Sequence, residues 1–289
     1  MSASPGAVLL PARPQTLWGP PAVANFALGG LGSGLYLVAA LAGGLDRTPA
    51  VVTAAWLGPL LVLAGFGAVA LEAGRPLRGA RVLTRLSTSW MSRECVLGLG
   101  FTALAALEFL APGPAVRLAA AAAAALFAVA QGFIPRRARA VSAWDVPLLP
   151  LLFLVSALAS GVGLHALLGL VSGADAGAAL PSAVAAAGLL AGLVWLAYLT
   201  WPGDEAFRAA IRPLREGAPA VATFATASIL PLALGLLGTA LSRRADLAAA
   251  LAGVLLIAGQ VQVKSALILV AGRLRPVTVT RLTLGRRSS

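Results

Sequence analysis

The chain is dominated by apolar runs of about 20 residues, the length an α-helix needs to cross the hydrocarbon core of a bilayer. About eight of them follow one another, near 23–45, 51–71, 94–110, 116–134, 146–170, 182–201, 218–241 and 247–270. They show no alternation of polarity, so they predict helices and not the strands of a barrel. Composition points the same way. Charged residues make up 11% of the 289, and mean hydropathy is +0.91, whereas a soluble domain carries about 25% charged residues. The expected fold is an all-α integral membrane bundle of about eight transmembrane helices. It forms one membrane domain over 1–289, with an N-terminal tail 1–22, helices over 23–270 and a basic C-terminal tail 271–289. The first run is too long for a signal-peptide core and reads as an uncleaved span.

The scarcity of ligating side chains excludes whole chemistries. Cys95 is the one cysteine and His165 the one histidine. Neither a disulfide, nor a cysteine-held zinc or iron–sulfur site, nor a haem with two axial histidines can form within this chain. No metal site is expected.

The net charge of +12 is concentrated in short loops, which points to membrane orientation and partner docking and away from nucleic acid. Seventeen of the 22 basic residues fall in the N-terminal segment, in the second, fourth and sixth connections, and in the C-terminal tail. The opposite loops hold four: Arg47, Arg117, Arg243 and Arg244. The bias places both termini and the Arg-rich face in the cytoplasm. Trp18, Trp90, Trp144 and Trp201 fall at that same boundary, as an aromatic belt should.

Polar residues inside spans are costly and therefore candidates for function. Glu72 ends the second span and Glu94 opens the third; Asn25, Gln131, Asp145, Gln260 and Lys264 lie toward the same face. One reading is a polar pocket near the Arg-rich face for a lipophilic ligand with a polar head. A quinone fits, because its carbonyls need donors and its reduction needs two protons. The other reading is that Glu72 and Glu94 sit at headgroup level and pair with Arg75 and Arg93, and that Lys264 makes an interhelical salt bridge. On the far side stand Glu108 and His165, either a continuing proton path or, for His165, a hydrogen-bonded packing residue. Gly30 and Gly34 are spaced for close helix approach or for admitting a flat ring. Pro59, Pro150 and Pro231 are expected to kink their helices.

Two segments are more specific. Glu72-Ala73-Gly74-Arg75-Pro76-Leu77-Arg78 is followed by Ser89-Trp90-Met91-Ser92-Arg93-Glu94. Together with the glycine-rich stretch 29–34, Gln131-Gly132-Phe133 and the stretch 143–154, they resemble the NrfD/DmsC superfamily, the membrane anchors of complex iron–sulfur molybdoenzymes. The resemblance implies a non-catalytic anchor subunit of an oxidoreductase complex, without haem or cluster of its own. It implies an exchangeable menaquinone or ubiquinone near the face where a four-cluster ferredoxin-like subunit docks, and a molybdopterin catalytic subunit beyond, as in anaerobic respiration in a bacterial inner membrane. On that basis Glu72, Glu94, Arg93, Lys264, Asn25 and Gly30 are the expected quinone-binding residues. Arg75, Arg78, Arg81, Trp90, Arg136 and Arg137 are the expected docking residues. In the DMSO reductase anchor a histidine stands where this chain has Glu72, while Glu94 matches the family's functional carboxylate. The competing classes are a secondary transporter and a proton-conducting module, the latter running through Glu108 and His165.

Overall fold

The computed structural model describes residues 7–43, 49–72, 85–173, 179–241 and 244–279. Nine helices account for most of them: α1 (Pro20–Gly43), α2 (Pro49–Glu72), α3 (Trp90–Leu110), α4 (Pro114–Arg137), α5 (Leu149–Ser172), α6 (Ala179–Leu199), α7 (Glu205–Arg215), α8 (Ala218–Ala240) and α9 (Ala245–Val270). Seven are long and apolar enough to cross a membrane. The expectation of about eight crossings therefore stands at seven among the described residues; α3, whose apolar character is interrupted by Arg93, Glu94 and Glu108, is not one of them, although its 21 residues are about 30 Å long. Near the two ends of the helical bundle, strand β1 (Ala7–Leu10) pairs antiparallel with β2 (Val277–Val279).

The bundle is arranged for lipid. Leucines such as Leu60 and Leu63 on α2, Leu193 and Leu196 on α6, and Leu236 and Leu237 on α8 point outward, while small and polar residues face inward. Helix α1 lies at the centre, packed on α2, α4, α5 and α9. Its small residues permit this. A side chain at Gly34 would run into the carbonyl of Ala157 on α5, and one at Gly32 into the carbonyl of Gly58 on α2. With little hydrophobic drive between helices in lipid, such backbone contact supplies the dispersion energy that holds them together.

Two prolines behave differently from the third. Pro59 and Pro231 lie within α2 and α8, whereas Pro150 sits in the first turn of α5. There its missing N–H costs nothing, so it starts the helix and does not bend it. Pro231 cannot donate to the carbonyl of Ala227, and just before it α8 widens into a π turn, Ala225–Ile229. The freed carbonyl of Ala227 accepts from Gln260 Nε2 on α9 at 3.5 Å, so Gln260 serves the helix distortion.

The basic sixth connection, expected as a loop, contains helix α7. Asp204 caps it, its Oδ1 accepting from the Phe207 N–H at 2.8 Å, a contact worth about 1 kcal/mol. Phe207, Ala210, Ile211 and Leu214 form its buried stripe, the spacing of one helix face. It lies on the Arg-rich face, where the C-terminal segment is threaded between two others. Leu274 N–H donates to the Arg13 carbonyl and Arg275 N–H to the Ala140 carbonyl, each at 2.7 Å. The Arg275 guanidinium pairs with Asp204 and, at 3.6 Å, with Asp145. Trp144 Nε1 donates to the Leu267 carbonyl at 2.9 Å and Gln15 Nε2 to that of Ile268 at 3.3 Å, satisfying oxygens freed by a second π turn, Ala266–Val270.

Candidate functional site

Three helices each send one polar side chain into the same buried point. Asn25 of α1 and Gln131 of α4 donate from Nδ2 and Nε2 to Glu94 Oε1 of α3, at 3.0 and 3.1 Å. Gln131 Nε2 also reaches the Asn25 carbonyl at 3.3 Å. Glu94 is 4% exposed, and Gln131 and Asn25 are equally withdrawn. Phe127 and Phe66 wall the cluster edge to face, with ring centroids 5.9 Å apart, and Gly98 and Gly29 leave the space that these side chains fill. Among the described residues Glu94 makes no ion pair, so its negative charge is held by two neutral amides. Asn25 Oδ1 is buried against Gly65 and has no hydrogen-bond donor among the described residues. A buried acceptor left in this state costs about 1–3 kcal/mol, which marks it as a place for a ligand hydroxyl or a water.

One turn closer to the Arg-rich face a cavity of about 540 Å³ opens between α3, α4 and the segment before α1, lined by Trp18, Trp90, Met91, Arg93, Ile134 and Arg137. Its walls are braced. Trp90 stacks on Phe133 at 4.1 Å, and Trp18 stacks on Trp144 at 4.8 Å. The Arg93 guanidinium lies 4.4 Å from the Trp90 ring centroid and donates to the carbonyls of Leu86 and Ser87, each at 2.8 Å. Arg93 therefore ties the 85–89 turn to α3 through two of its donors, and it does not pair with Glu94. Ser89 caps α3 at the same turn, which fixes the register that carries Trp90 and Arg93 to the cavity and Glu94 to the bundle interior.

The other expected site residues fall elsewhere. Gly30 faces Lys264 of α9 and Ala157 of α5, a direction different from that of Gly29, whose neighbours are Gln131 and Phe127. Lys264 is 1% exposed, makes no ion pair among the described residues, and its Nζ has no hydrogen-bond partner there. Asn25, Glu94 and Gln131 thus form one cluster, and Gly30 and Lys264 form a second on another face of α1. Glu72 closes α2, but its side chain, like Arg75, Arg78 and Arg81, lies outside the described residues. Arg136 and Arg137 end α4, with Arg136 over the Phe133 ring at 5.8 Å. On the far side Glu108 is bonded to Arg117 of α4 at 3.2 Å, both buried. His165 lines a separate apolar cavity of about 500 Å³ among α1, α2, α5 and α6. No hydrogen bond links Glu108 and His165 among the described residues. Among those residues no group of His, Cys, Asp and Glu is placed to hold a metal.

The sequence marked Gln131 as polar without assigning it to the site, and it did not single out Phe66 or Phe127. Gln131 is an amide amid alanines and phenylalanines of α4, and that isolation was its signal.

A search of curated proteins returns no match. The family model described as DMSO reductase anchor subunit (DmsC) matches residues 20–198, from the start of α1 to the end of α6, which include the whole Glu94 cluster and all but Trp18 of the cavity wall. The match covers more than half of the chain, and the chain belongs to the DmsC family of DMSO reductase anchor subunits.

Proposed function

We propose that this chain exchanges electrons between the membrane quinone pool, menaquinone or ubiquinone, and an iron–sulfur subunit docked on the Arg-rich face, with a molybdopterin catalytic subunit attached through it. The observation that carries the reading is a buried carboxylate, Glu94, held among the described residues by two amides, one turn below an aromatic and arginine-lined cavity. The cavity's size lies within the range of about 300–1,000 Å³ usual for small-molecule sites, and its rings suit a flat apolar headgroup. A bound quinone supplies two-electron, two-proton redox exchange. The chain's own residues do the rest. Asn25 and Gln131 fix Glu94 Oε1 and so orient the carboxylate, leaving Oε2 to take or give a proton. Asn25 Oδ1 accepts from a hydroxyl. Trp90 and Trp18 hold the ring, and Arg93 keeps Trp90 in place. Glu72, at the end of α2, belongs to the same proposal as a second carboxylate at this face. Lys264 and Gly30, across α1, make a separate cluster and do not line this cavity. The Arg-rich face, both termini included, lies in the cytoplasm, and the membrane is the bacterial inner membrane.

Photolabelling of the intact complex with an azido-quinone tests this reading. The label is expected on the stretches 85–94 and 134–138. Labelling confined to the helices around His165 would contradict it.

A further inference from the structure

Residues 7–10 and 277–279 meet on the Arg-rich face in a form that a lone subunit does not explain. Strands β1 and β2 pair with Leu10 opposite Val277 and Ala7 opposite Val279, and their principal contact is with each other. Directly opposed residues lie on one face of a ribbon. Leu10 and Val277 are 54% and 47% exposed, so that pair is apolar and not covered by any of the described residues. Leu9, Leu17 and Leu274 are exposed nearby. Lipid covers the outward leucines of the helices, but this ribbon follows β-bridges at Pro14–Arg273 and Val141–Leu274, beyond the helix ends. A two-stranded ribbon is marginal alone and gains stability from a third strand, and both of its strands are edges. The surroundings are basic, with Arg13, Arg139 and Arg273 all exposed. Residues 1–22 and 271–289 contain no acidic residue.

We propose that the β1–β2 ribbon is a docking element for the peripheral iron–sulfur subunit, which adds an edge strand to it, covers Leu10 and Val277, and presents an acidic rim to Arg13 and Arg273. The proposal rests on the reading of this chain as the anchor of such a subunit. Strand addition supplies main-chain hydrogen bonds, and the apolar pair supplies the contact that selects the register. The basic rim speeds and orients encounter and makes the union sensitive to salt.

The test is made on the intact complex purified from membranes. Leu10→Asp combined with Val277→Asp is expected to reduce the peripheral subunits that remain with the chain by about tenfold or more, with the helical bundle melting as before. A photo-crosslinker attached through Leu10→Cys is expected to join this chain to the iron–sulfur subunit, and this arm involves no disruptive charge. Undiminished retention in the double variant, or crosslinks only to a second copy of this chain, would overturn the proposal. Neither measurement reads quinone. A complex that keeps its subunits and fails to exchange electrons with quinone contradicts the functional reading and leaves the docking surface standing.

Discussion

Helix α3 carries two buried carboxylates fourteen residues apart, Glu94 and Glu108, and they are treated in opposite ways. Glu108 is neutralised by the Arg117 guanidinium at 3.2 Å, across the short turn joining α3 to α4. Glu94 receives two amide N–H bonds and no cation among the described residues. A buried carboxylate beside a guanidinium is locked, because moving its proton strands the partner's charge. A buried carboxylate held by amides keeps its geometry in either protonation state. The first arrangement ties helices together, and the second can exchange a proton. Burial alone therefore does not separate the two carboxylates; the nature of the partner does.

The comparison can be broken at several points. The largest expected effect is on stability. Glu108→Ala leaves Arg117 buried without its carboxylate, which costs about 3–5 kcal/mol, seen as a lower unfolding midpoint in detergent. Quinone turnover per folded complex should stay unchanged, and its loss would show that Glu108 also handles protons. Gln131→Leu comes next. It removes a hydrogen bond to a charged group, worth about 1.5–3 kcal/mol, and frees the Glu94 carboxylate to rotate. Turnover should fall more than quinone affinity, and the reverse split would assign Gln131 to the ligand itself. Trp90→Leu is the mildest. It removes the stack on Phe133 and the Arg93 contact, about 0.5–1.5 kcal/mol, and should raise the KM for quinone with kcat largely kept. An unaltered KM would place the quinone ring elsewhere.

Much of this was legible in the sequence because bilayer thickness sets helix length. The all-α membrane bundle and its seven apolar spans are readable from hydropathy, and Glu94 stands out as an acid inside an apolar run; α3 has the length of a span but carries Arg93, Glu94 and Glu108. What depth alone could not supply was angle. Gly30 and Lys264 were grouped with Glu94 because all lie toward one face of the membrane, yet one residue along α1 turns the view by about 100°, from Gln131 at Gly29 to Lys264 at Gly30. Nor could the sequence say that Glu94 takes Asn25 and Gln131 in place of Arg93, since those contacts join positions 69 and 37 residues away. Helix α7 is hidden for another reason: its arginines give 205–215 the composition of a loop, while the signals of a helix, the Asp204 cap and the stripe from Phe207 to Leu214, are short.

The central claim is that Glu94 moves a proton for a quinone. Quinol oxidation by the intact complex in liposomes, compared between Glu94→Gln and the unaltered chain at equal subunit content, tests it most directly. Glutamine preserves the size of the side chain and can still meet the amides, so the bundle should assemble. The predicted result is a loss of about a hundredfold or more in rate, the usual contribution of a positioned proton-transfer group. A rate equal to that of the unaltered complex would contradict the account.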